Sequence, residues 1–281
     1  MRVLITNDDG IASEGLRALV RAFAPSHEVA VLAPSDDRSA SGAALTLRRD
    51  LDVQEAQELL RLGAASAYHL DATPATCVIL AVSGTLVPRP DLVVSGVNPG
   101  PNLGSDIYLS GTVGAARMAA TLGIPGVAVS CRRDPAGTAW DVSARMALRT
   151  AELLEDEYFG GTEAAGPGRR TPLVNINVPS MHPRSVAATT VASYHIIGHA
   201  VIKQAPARQE TPRLLRLELR LGALPPLEPG TDACAFFSGD ASLTVLHHGD
   251  GASAVGGDGL ELAHSLARYL NGAVAGLRGA E

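Results

Sequence analysis

The sequence predicts an α/β protein built on a three-layer, doubly wound, mostly parallel sheet. Through about residue 180, short apolar runs alternate with stretches of helical periodicity, which is the pattern of consecutive βαβ units. The first run, Val3–Ile5, leads into the polar turn Asn7–Gly10, at the end of the strand where parallel sheets bind ligands. Beyond residue 181 the pattern changes, and Leu215–Leu221 alternates leucine with mostly polar residues, as half-exposed antiparallel strands do.

The elements of the first 180 residues follow from this periodicity. Leu16, Leu19 and Phe23 have helical spacing, which predicts a helix over Ser13–Ala24 with Ser13 as its cap. The segment Thr46–Gln57 is ambiguous. The further predicted strands are Glu28–Ala33, Ala67–Leu70, Asp91–Ser95, Gly126–Ser130 and Leu173–Val178, and the further helices are Pro74–Val82, Val113–Leu122 and Ala139–Tyr158.

We expect one domain over residues 1–281, in which 1–180 form an α/β core that carries the site. Residues 181–257 are predicted to form a projecting β arm and returning strands, and 258–281 a C-terminal helix. Ala233–Phe237 and Ser242–Leu246 are predicted as short strands of this part, because both are brief apolar runs.

Composition excludes several classes of function. The net charge is −6 without a Lys/Arg block, so we expect no nucleic-acid polymer as a partner. The three widely spaced cysteines fit a reduced compartment and offer no zinc spacing. No signal peptide and no bilayer-length apolar run is visible, so a cytoplasmic protein without a membrane partner is expected. The single lysine, Lys203, is not in a Walker loop, and neither GxGxxG nor GxSxG is in a suitable place.

Oxygen-bearing side chains follow several of the predicted strands. Asp8 and Asp9 follow the first, Ser39 the second, and Asn98 and Asn102 a later one. Because parallel strands end at one edge of the sheet, these loops can converge on one Mg²⁺, Mn²⁺ or Ca²⁺ ion. The alternative for the aspartates is a capping turn.

The Ser110-Gly111-Thr112 turn precedes a predicted helix. Free backbone N–H groups and the helix dipole attract anions at that place, although plain helix capping by Ser110 is the alternative. A cation site beside an anion site is the arrangement that metal-assisted phosphate hydrolysis needs.

These motifs, in this order, resemble the SurE family of stationary-phase survival proteins. The resemblance rests on Asn7-Asp8-Asp9-Gly10, Arg38-Ser39, Ser95-Gly96-Val97-Asn98-Pro-Gly-Pro-Asn102, Ser110-Gly111-Thr112-Val113, Asn175-Ile-Asn177-Val-Pro179 and Gly230-Thr231-Asp232. It implies a Rossmann-like SurE fold and a metal-dependent phosphomonoesterase that hydrolyses nucleoside 5′-monophosphates, with 3′-monophosphates as further candidate substrates.

The resemblance also implies roles for individual residues. The ligands of one divalent cation per subunit, Mg²⁺ or Mn²⁺, would be Asp8, Asp9, Ser39 and Asn98, with both aspartates catalytic. The phosphate contacts would be Asn7, Asn102, Ser110, Gly111 and Thr112. With the alternating Leu215–Leu221 strand, it further implies a homodimer or homotetramer held by the arm and the terminal helix.

The chain departs from the family pattern in the part that should recognise the base. The arm lacks the family's aromatic stretch, and Asp240 stands where the family has tyrosine. Asp232 is either a supporting or proton-transfer group or a simple turn residue, and His247 and His248 are more typical of a surface. A metal- and nucleotide-binding oligomer with weak or no turnover, and a phosphatase with an aspartyl nucleophile, are the competing interpretations.

Overall fold

The computed structural model describes residues 1–134, 137–156, 171–193, 197–205, 214–221, 226–246 and 257–278. The strands are β1 (Arg2–Thr6), β2 (Glu28–Pro34), β3 (Val53–Glu55), β4 (Ser66–Leu70), β5 (Leu92–Pro99), β6 (Gly126–Cys131), β7 (Leu173–Val178), β8 (Val186–Ala188), β9 (Ile197–Ala205), β10 (Leu214–Leu221) and β11 (Ala241–Leu246). The helices are α1 (Glu14–Phe23), α2 (Gln57–Arg61), α3 (Pro74–Val82), α4 (Gly111–Thr121), α5 (Trp140–Leu154), α6 (Asp232–Phe237) and α7 (Gly257–Arg278), and Gly104–Tyr108 is a 3₁₀ helix.

Nine strands form one sheet in the order β3-β4-β2-β1-β5-β6-β7-β11-β8. Every neighbouring pair is parallel except β3–β4 and β7–β11, so the predicted mostly parallel sheet is confirmed. Since β2 lies on one side of β1 and β5 on the other, the strand order reverses at β1. Such a switch point opens a crevice beyond the carboxyl ends of the strands.

Alternate residues of β1 pack into different helical layers, because successive side chains of a strand point to opposite faces. Val3 and Ile5 belong to the core cluster that contains α1, α5 and part of α7. Leu4 lies in a second cluster, which contains residues of α3 and α4. The two clusters sandwich the sheet, as the three-layer prediction required.

The C-terminal part contains one wrong prediction. Ala233–Phe237 lies within helix α6 and is not a strand. Thr231 accepts a hydrogen bond from the Cys234 N–H at 3.3 Å, and this N-cap decides the structure of a run too short for its periodicity to be informative. The other predicted strand, Ser242–Leu246, is confirmed as β11. The ambiguous segment Thr46–Gln57 contains β3 and leads into α2.

The arm is an antiparallel hairpin of β9 and β10 that forms a separate two-stranded sheet. It confirms the antiparallel strand predicted from the leucine alternation. Lys203 lies in β9, whereas His247 and His248 lie outside the described residues. Within the described ranges, no helix is both long and apolar enough to cross a membrane. The single-domain boundary 1–281 stays a prediction.

Candidate metal and phosphate site

Asp8 lies at the centre of the candidate site, just beyond the end of β1. Its side chain is only 4% exposed, and its Oδ1 accepts a hydrogen bond of 2.6 Å from the Thr112 hydroxyl. The Arg38 N–H donates to its backbone carbonyl oxygen at 2.7 Å. Burial raises the pKa of Asp8, and the Thr112 bond opposes that rise. The predicted metal loop and anion turn therefore meet on this one residue.

Asp9 is half-buried, and its Oδ2 is enclosed without a hydrogen-bond partner. Burial, followed by repulsion from Asp8 and Asp37, raises the pKa of Asp9 to about 7, with Arg133 acting in the opposite direction. Paired carboxylates that repel each other in a partly desolvated place favour either a proton or a cation. The enclosed Asp9 Oδ2 is therefore an oxygen that a cation could satisfy.

The loop after β2 brings Ser39 and an additional carboxylate to the site. The Ser39 hydroxyl and backbone N–H both donate to Asp37 Oδ1, at 2.6 and 2.7 Å. Ala40 has a φ of +61°, a left-handed conformation that costs a residue with a Cβ free energy. Sequence reasoning did not assign Asp37 a role, although its acidic character was visible in the same loop.

Asn98 lies near the end of β5, where it pairs in register with Ser130 of β6. Its side-chain amide donates to the Gly100 carbonyl oxygen at 2.6 Å, so the side-chain oxygen is the part of the amide that a cation would use. The structure thus places Asn98 at the same edge of the sheet as Asp8, on the neighbouring strand.

The anion turn is packed directly against Asp8. A Cβ at Gly111 would lie 2.8 Å from Asp8 Oδ2 and 2.7 Å from the Ser41 hydroxyl, so only glycine fits. Ser110 caps α4 by accepting from the Val113 N–H at 3.1 Å, which is the capping role that the sequence also allowed. The Thr112 hydroxyl donates to Asp8, its backbone N–H also favours the charged form of that carboxylate, and the Val113 N–H is capped by Ser110. The turn therefore brings the positive end of the α4 dipole to Asp8.

Asn102 is held by a network of buried amides. Its side chain donates to the Ser130 hydroxyl at 2.8 Å. Its backbone N–H donates to Asn177 Oδ1 at 2.7 Å, and its carbonyl accepts from Asn177 Nδ2 at 3.2 Å and from Asn175 Nδ2 at 2.9 Å. Sequence reasoning cited these two asparagines only as part of a motif. Two amides at alternate positions of an apolar strand mark one polar face, and that signal could have revealed them.

Asn7 is fully buried, and its amide holds the turn that carries the aspartates. Its Nδ2 donates to the Gly10 carbonyl oxygen at 3.0 Å and to the Ser13 hydroxyl at 2.7 Å, while its Oδ1 is enclosed without a partner. In this conformation both amide protons of Asn7 are engaged. Its contact with phosphate stays a prediction.

The donor set fits a hard divalent cation. Within the described residues, no group of three or more His, Cys, Asp or Glu side chains is arranged to hold a metal, so a cation here would depend on two carboxylates and neutral oxygens. The partnerless Asp9 Oδ2, the hydroxyl of Ser39 and the amide oxygen of Asn98 are of that kind. Oxygen-only sets of this type suit Mg²⁺ or Mn²⁺ and not zinc.

Asp240, which replaces a tyrosine of the family pattern, lies in the turn between α6 and β11. It accepts from Arg184 Nη2 at 3.1 Å and from the Ser185 hydroxyl at 2.9 Å. This surface ion pair accounts for the acidic residue at a position where the family has an aromatic one.

Comparisons with known proteins identify the family of the chain. The model of the family described as "Survival protein SurE" matches residues 3–198. The chain is similar to "5'-nucleotidase SurE 1" of Thermus thermophilus, with 40% identity over 208 residues, which are 73% of this chain and 77% of that protein. It is 32% identical to "5'-nucleotidase SurE" of Desulfitobacterium hafniense over 249 residues, 88% of this chain and 91% of the relative.

A solved structure shows the same architecture. The crystal structure of the SurE protein from Aquifex aeolicus aligns with a TM-score of 0.67 and 26% sequence identity, and the alignment covers 96% of this chain and 99% of that one.

Proposed function

The chain belongs to the survival protein SurE family, and on that premise we propose that it is a 5′-nucleotidase. It is a hydrolase that splits nucleoside 5′-monophosphates into nucleoside and inorganic phosphate. The observation that carries this conclusion is the 2.6 Å hydrogen bond between the Thr112 hydroxyl and Asp8. Through it, a buried carboxylate and the N-terminus of α4 share one place, so that groups suited to a cation and groups suited to phosphate lie side by side.

One Mg²⁺ or Mn²⁺ ion per subunit would be held by Asp8, Asp9, Ser39 and Asn98. When bound, such an ion polarises a phosphoryl oxygen and lowers the pKa of a water molecule to make a nucleophile near neutral pH. The enclosed Asp9 Oδ2 supports this assignment, because a buried carboxylate oxygen without a partner is costly unless a ligand satisfies it.

The protein's own groups position the phosphate. The N-terminus of α4 would face the anion, and the aligned peptide dipoles of the helix would stabilise its charge. Gly111 allows this approach, since a side chain there would collide with Asp8. Asn102 is fixed by Ser130 and Asn177, so its loop lies in place before the substrate arrives and loses little entropy on binding.

The assembly and the location in the cell are further parts of the proposal. A homodimer or homotetramer is supported by the β9–β10 hairpin, which forms a sheet of its own and offers leucines at alternate positions of β10. Cytoplasmic location is supported by cysteines that are free in the structure, Cys77, Cys131 and Cys234. Hydrolysis of 3′-monophosphates belongs to the same proposal.

Phosphate release from a panel of 5′- and 3′-nucleoside monophosphates tests this function. We expect turnover with Mg²⁺ or Mn²⁺, loss of turnover after exhaustive chelation, and recovery when the ion is restored. Release that continues undiminished after chelation would contradict metal-dependent catalysis. Tight binding of metal and nucleotide without release of phosphate from any ester would instead support a binding protein.

A further inference from the structure

Asp232 carries a buried carboxylate whose two oxygens bind three backbone N–H groups. The residue is 0% exposed. Its Oδ1 accepts from Ala192 at 2.9 Å and from Ala233 at 2.8 Å, while its Oδ2 accepts from Gly104 at 3.0 Å. Among the described residues no ion pair neutralises this carboxylate. Three donated hydrogen bonds replace the water that burial removed.

The three donors belong to segments that are far apart in the sequence. Gly104 begins the 3₁₀ helix that leads to Ser110, and it lies two residues after Asn102. Ala192 lies close to the start of β9, where the chain leaves for the arm. We call the segment from Thr189 to Ala192 the arm root, and the segment from Asn102 to Thr112 the phosphate loop. Asp232 is hydrogen-bonded to both.

Capping of α6 does not explain the carboxylate. Thr231 already serves as the N-cap, because its hydroxyl accepts from the Cys234 N–H. The arm root is also attached by the backbone, since the Asp232 N–H donates to the Thr190 carbonyl oxygen at 2.8 Å. What the carboxylate adds is the Oδ2 bond to Gly104, which no other group of α6 makes. Asp232 Oδ2 is thus the link from α6 to the phosphate loop, beside the two bonds that Oδ1 accepts from Ala192 and Ala233.

We propose that Asp232 is a positioning residue for the nucleotidase reaction, which ties the phosphate loop to the arm root and so fixes Asn102 and the start of α4 for phosphate binding. The inference rests on the proposed function, but it concerns phosphate binding and not the cation. Through the same carboxylate, a displacement of the arm root is transmitted to the phosphate loop. Asp232 itself faces backbone N–H groups and does not act on the reacting atoms.

Replacing Asp232 by asparagine is expected to break the contact with the phosphate loop and to keep the contact with the arm root. An amide that keeps its oxygen towards Ala192 and Ala233 must direct its NH₂ group at the Gly104 N–H, so the contact with the phosphate loop becomes repulsive. In the opposite orientation the NH₂ group would face the N–H groups of Ala192 and Ala233, which is less favourable still. D232N is therefore expected to release the phosphate loop while the arm root stays attached.

The expected result for D232N is a KM for nucleoside monophosphate and a Ki for inorganic phosphate that each rise by about tenfold, the scale for residues that orient a binding group. We expect kcat to change less than KM, and the affinity for Mn²⁺, measured by calorimetry, to stay within about twofold of that of the unmodified protein.

Two matched controls separate positioning from general destabilisation. T231A removes the cap of α6 and lowers stability at the same helix end without touching the Gly104 contact, so KM and Ki should not change. D240N makes the same chemical change in the turn after α6, where the carboxylate contacts Arg184 and Ser185 and not Gly104, and should leave both constants unchanged. If D232N does not fold, D232S, which keeps a hydroxyl for the Ala233 N–H but cannot reach Gly104, replaces it.

The inference is overturned if D232N, or D232S in its place, keeps KM and Ki within about twofold of the unmodified values, or if T231A with a similar fall in Tm raises them equally. Calorimetric titration with inorganic phosphate keeps the two proposals distinguishable. If the unmodified protein binds phosphate but releases none from nucleotides, the proposed function fails. A weaker affinity of D232N for inorganic phosphate would still support the positioning role of Asp232. If the unmodified protein binds no phosphate, the inference fails too.

Discussion

Charged side chains are in opposite environments at the two ends of strand β1. At its N-terminal end, Arg2 donates to Asp91 from its backbone at 2.8 Å and from its guanidinium at 2.7 Å, so the charges are paired and partly in water. At its C-terminal end Asp8 and Asp9 are desolvated beside Asp37, and polar atoms such as Asp9 Oδ2 and Asn7 Oδ1 are enclosed without partners. The pair at the N-terminal end stabilises the fold, whereas the partnerless oxygens at the C-terminal end suit the proposed cation.

The largest effect is expected from D8N, at the C-terminal end of β1. Loss of this carboxylate should lower phosphate release by about 1,000-fold, because a cation site is worth several kcal/mol of transition-state stabilisation. The metal-free variant should nevertheless be at least as stable as the unmodified protein, since a buried charge has been removed. Kinetics and thermal unfolding in chelator measure both. A variant that is inactive and also markedly less stable would contradict the view that this end is built for a ligand.

The second prediction compares two asparagines with similar hydrogen bonding. Asn177 brackets the backbone of Asn102, and Asn271 of α7 brackets Val186 of β8, accepting from its N–H at 2.8 Å and donating to its carbonyl oxygen at 2.9 Å. Both N177D and N271D turn a donor into an acceptor that faces a carbonyl. Each should cost about 1–3 kcal/mol of unfolding free energy.

Only N177D should also reduce kcat/KM, by about 10- to 100-fold, the range for residues that orient a binding group. Chemical denaturation and steady-state kinetics on both variants test this pair. Equal kinetic losses in the two would show that stability alone sets activity.

A smaller effect is expected at Ala40, whose φ of +61° is strained. Glycine adopts this conformation without steric conflict, so A40G should raise the midpoint of thermal unfolding, with a gain of up to about 1 kcal/mol. The matched change G42A, at a φ of +53° and with a Cβ 3.0 Å from the Tyr108 carbonyl oxygen, should lower it. A destabilising effect of A40G would show that the lower backbone entropy of alanine in the unfolded chain outweighs any strain at residue 40. The strain assigned to Ala40 would then be wrong.

The smallest effect on stability is expected at the N-terminal end of β1. The hydrogen bond from Arg2 holds the pKa of Asp91 below its ordinary value. A depressed carboxyl pKa stabilises the fold above the unfolded pKa of about 4, and that contribution is lost as pH falls through the folded value. Because the pair is partly exposed, R2Q should cost no more than about 1 kcal/mol at pH 7.

The R2Q difference should shrink towards pH 2 and in high salt, with turnover unchanged. Unfolding curves at pH 7 and pH 2 measure it. A cost that persists unchanged at pH 2 would show that packing, and not charge, is lost.

Features with a local sequence pattern were predicted, whereas contacts between distant segments were not. The mostly parallel sheet and the order of strands and helices through residue 180 followed from periodicity, and the rule that parallel strands end at one edge predicted that their polar loops converge. The hydrogen bond between Thr112 and Asp8 was not predicted. Ala233–Phe237 was predicted wrongly because five residues are too few to show a helical period, and the N-cap at Thr231 begins a helix there. The contacts of Asn102 with Asn175 and of Asp232 with Gly104 could not be derived, since they join residues 73 and 128 positions apart, and no local pattern encodes which distant segments meet.

The arm is inserted in the chain between two strands that are already neighbours in the sheet, β8 and β11. Its entry and exit are joined, because the Thr190 N–H donates to the Gly230 carbonyl oxygen at 3.0 Å and Thr190 pairs with Thr231. Strands β8 and β11 can therefore pair irrespective of the length of the chain between Thr190 and Gly230. Insertions and deletions within the arm are therefore expected to leave β8 and β11 in register, whereas a change at the arm root would reach the phosphate loop through Asp232.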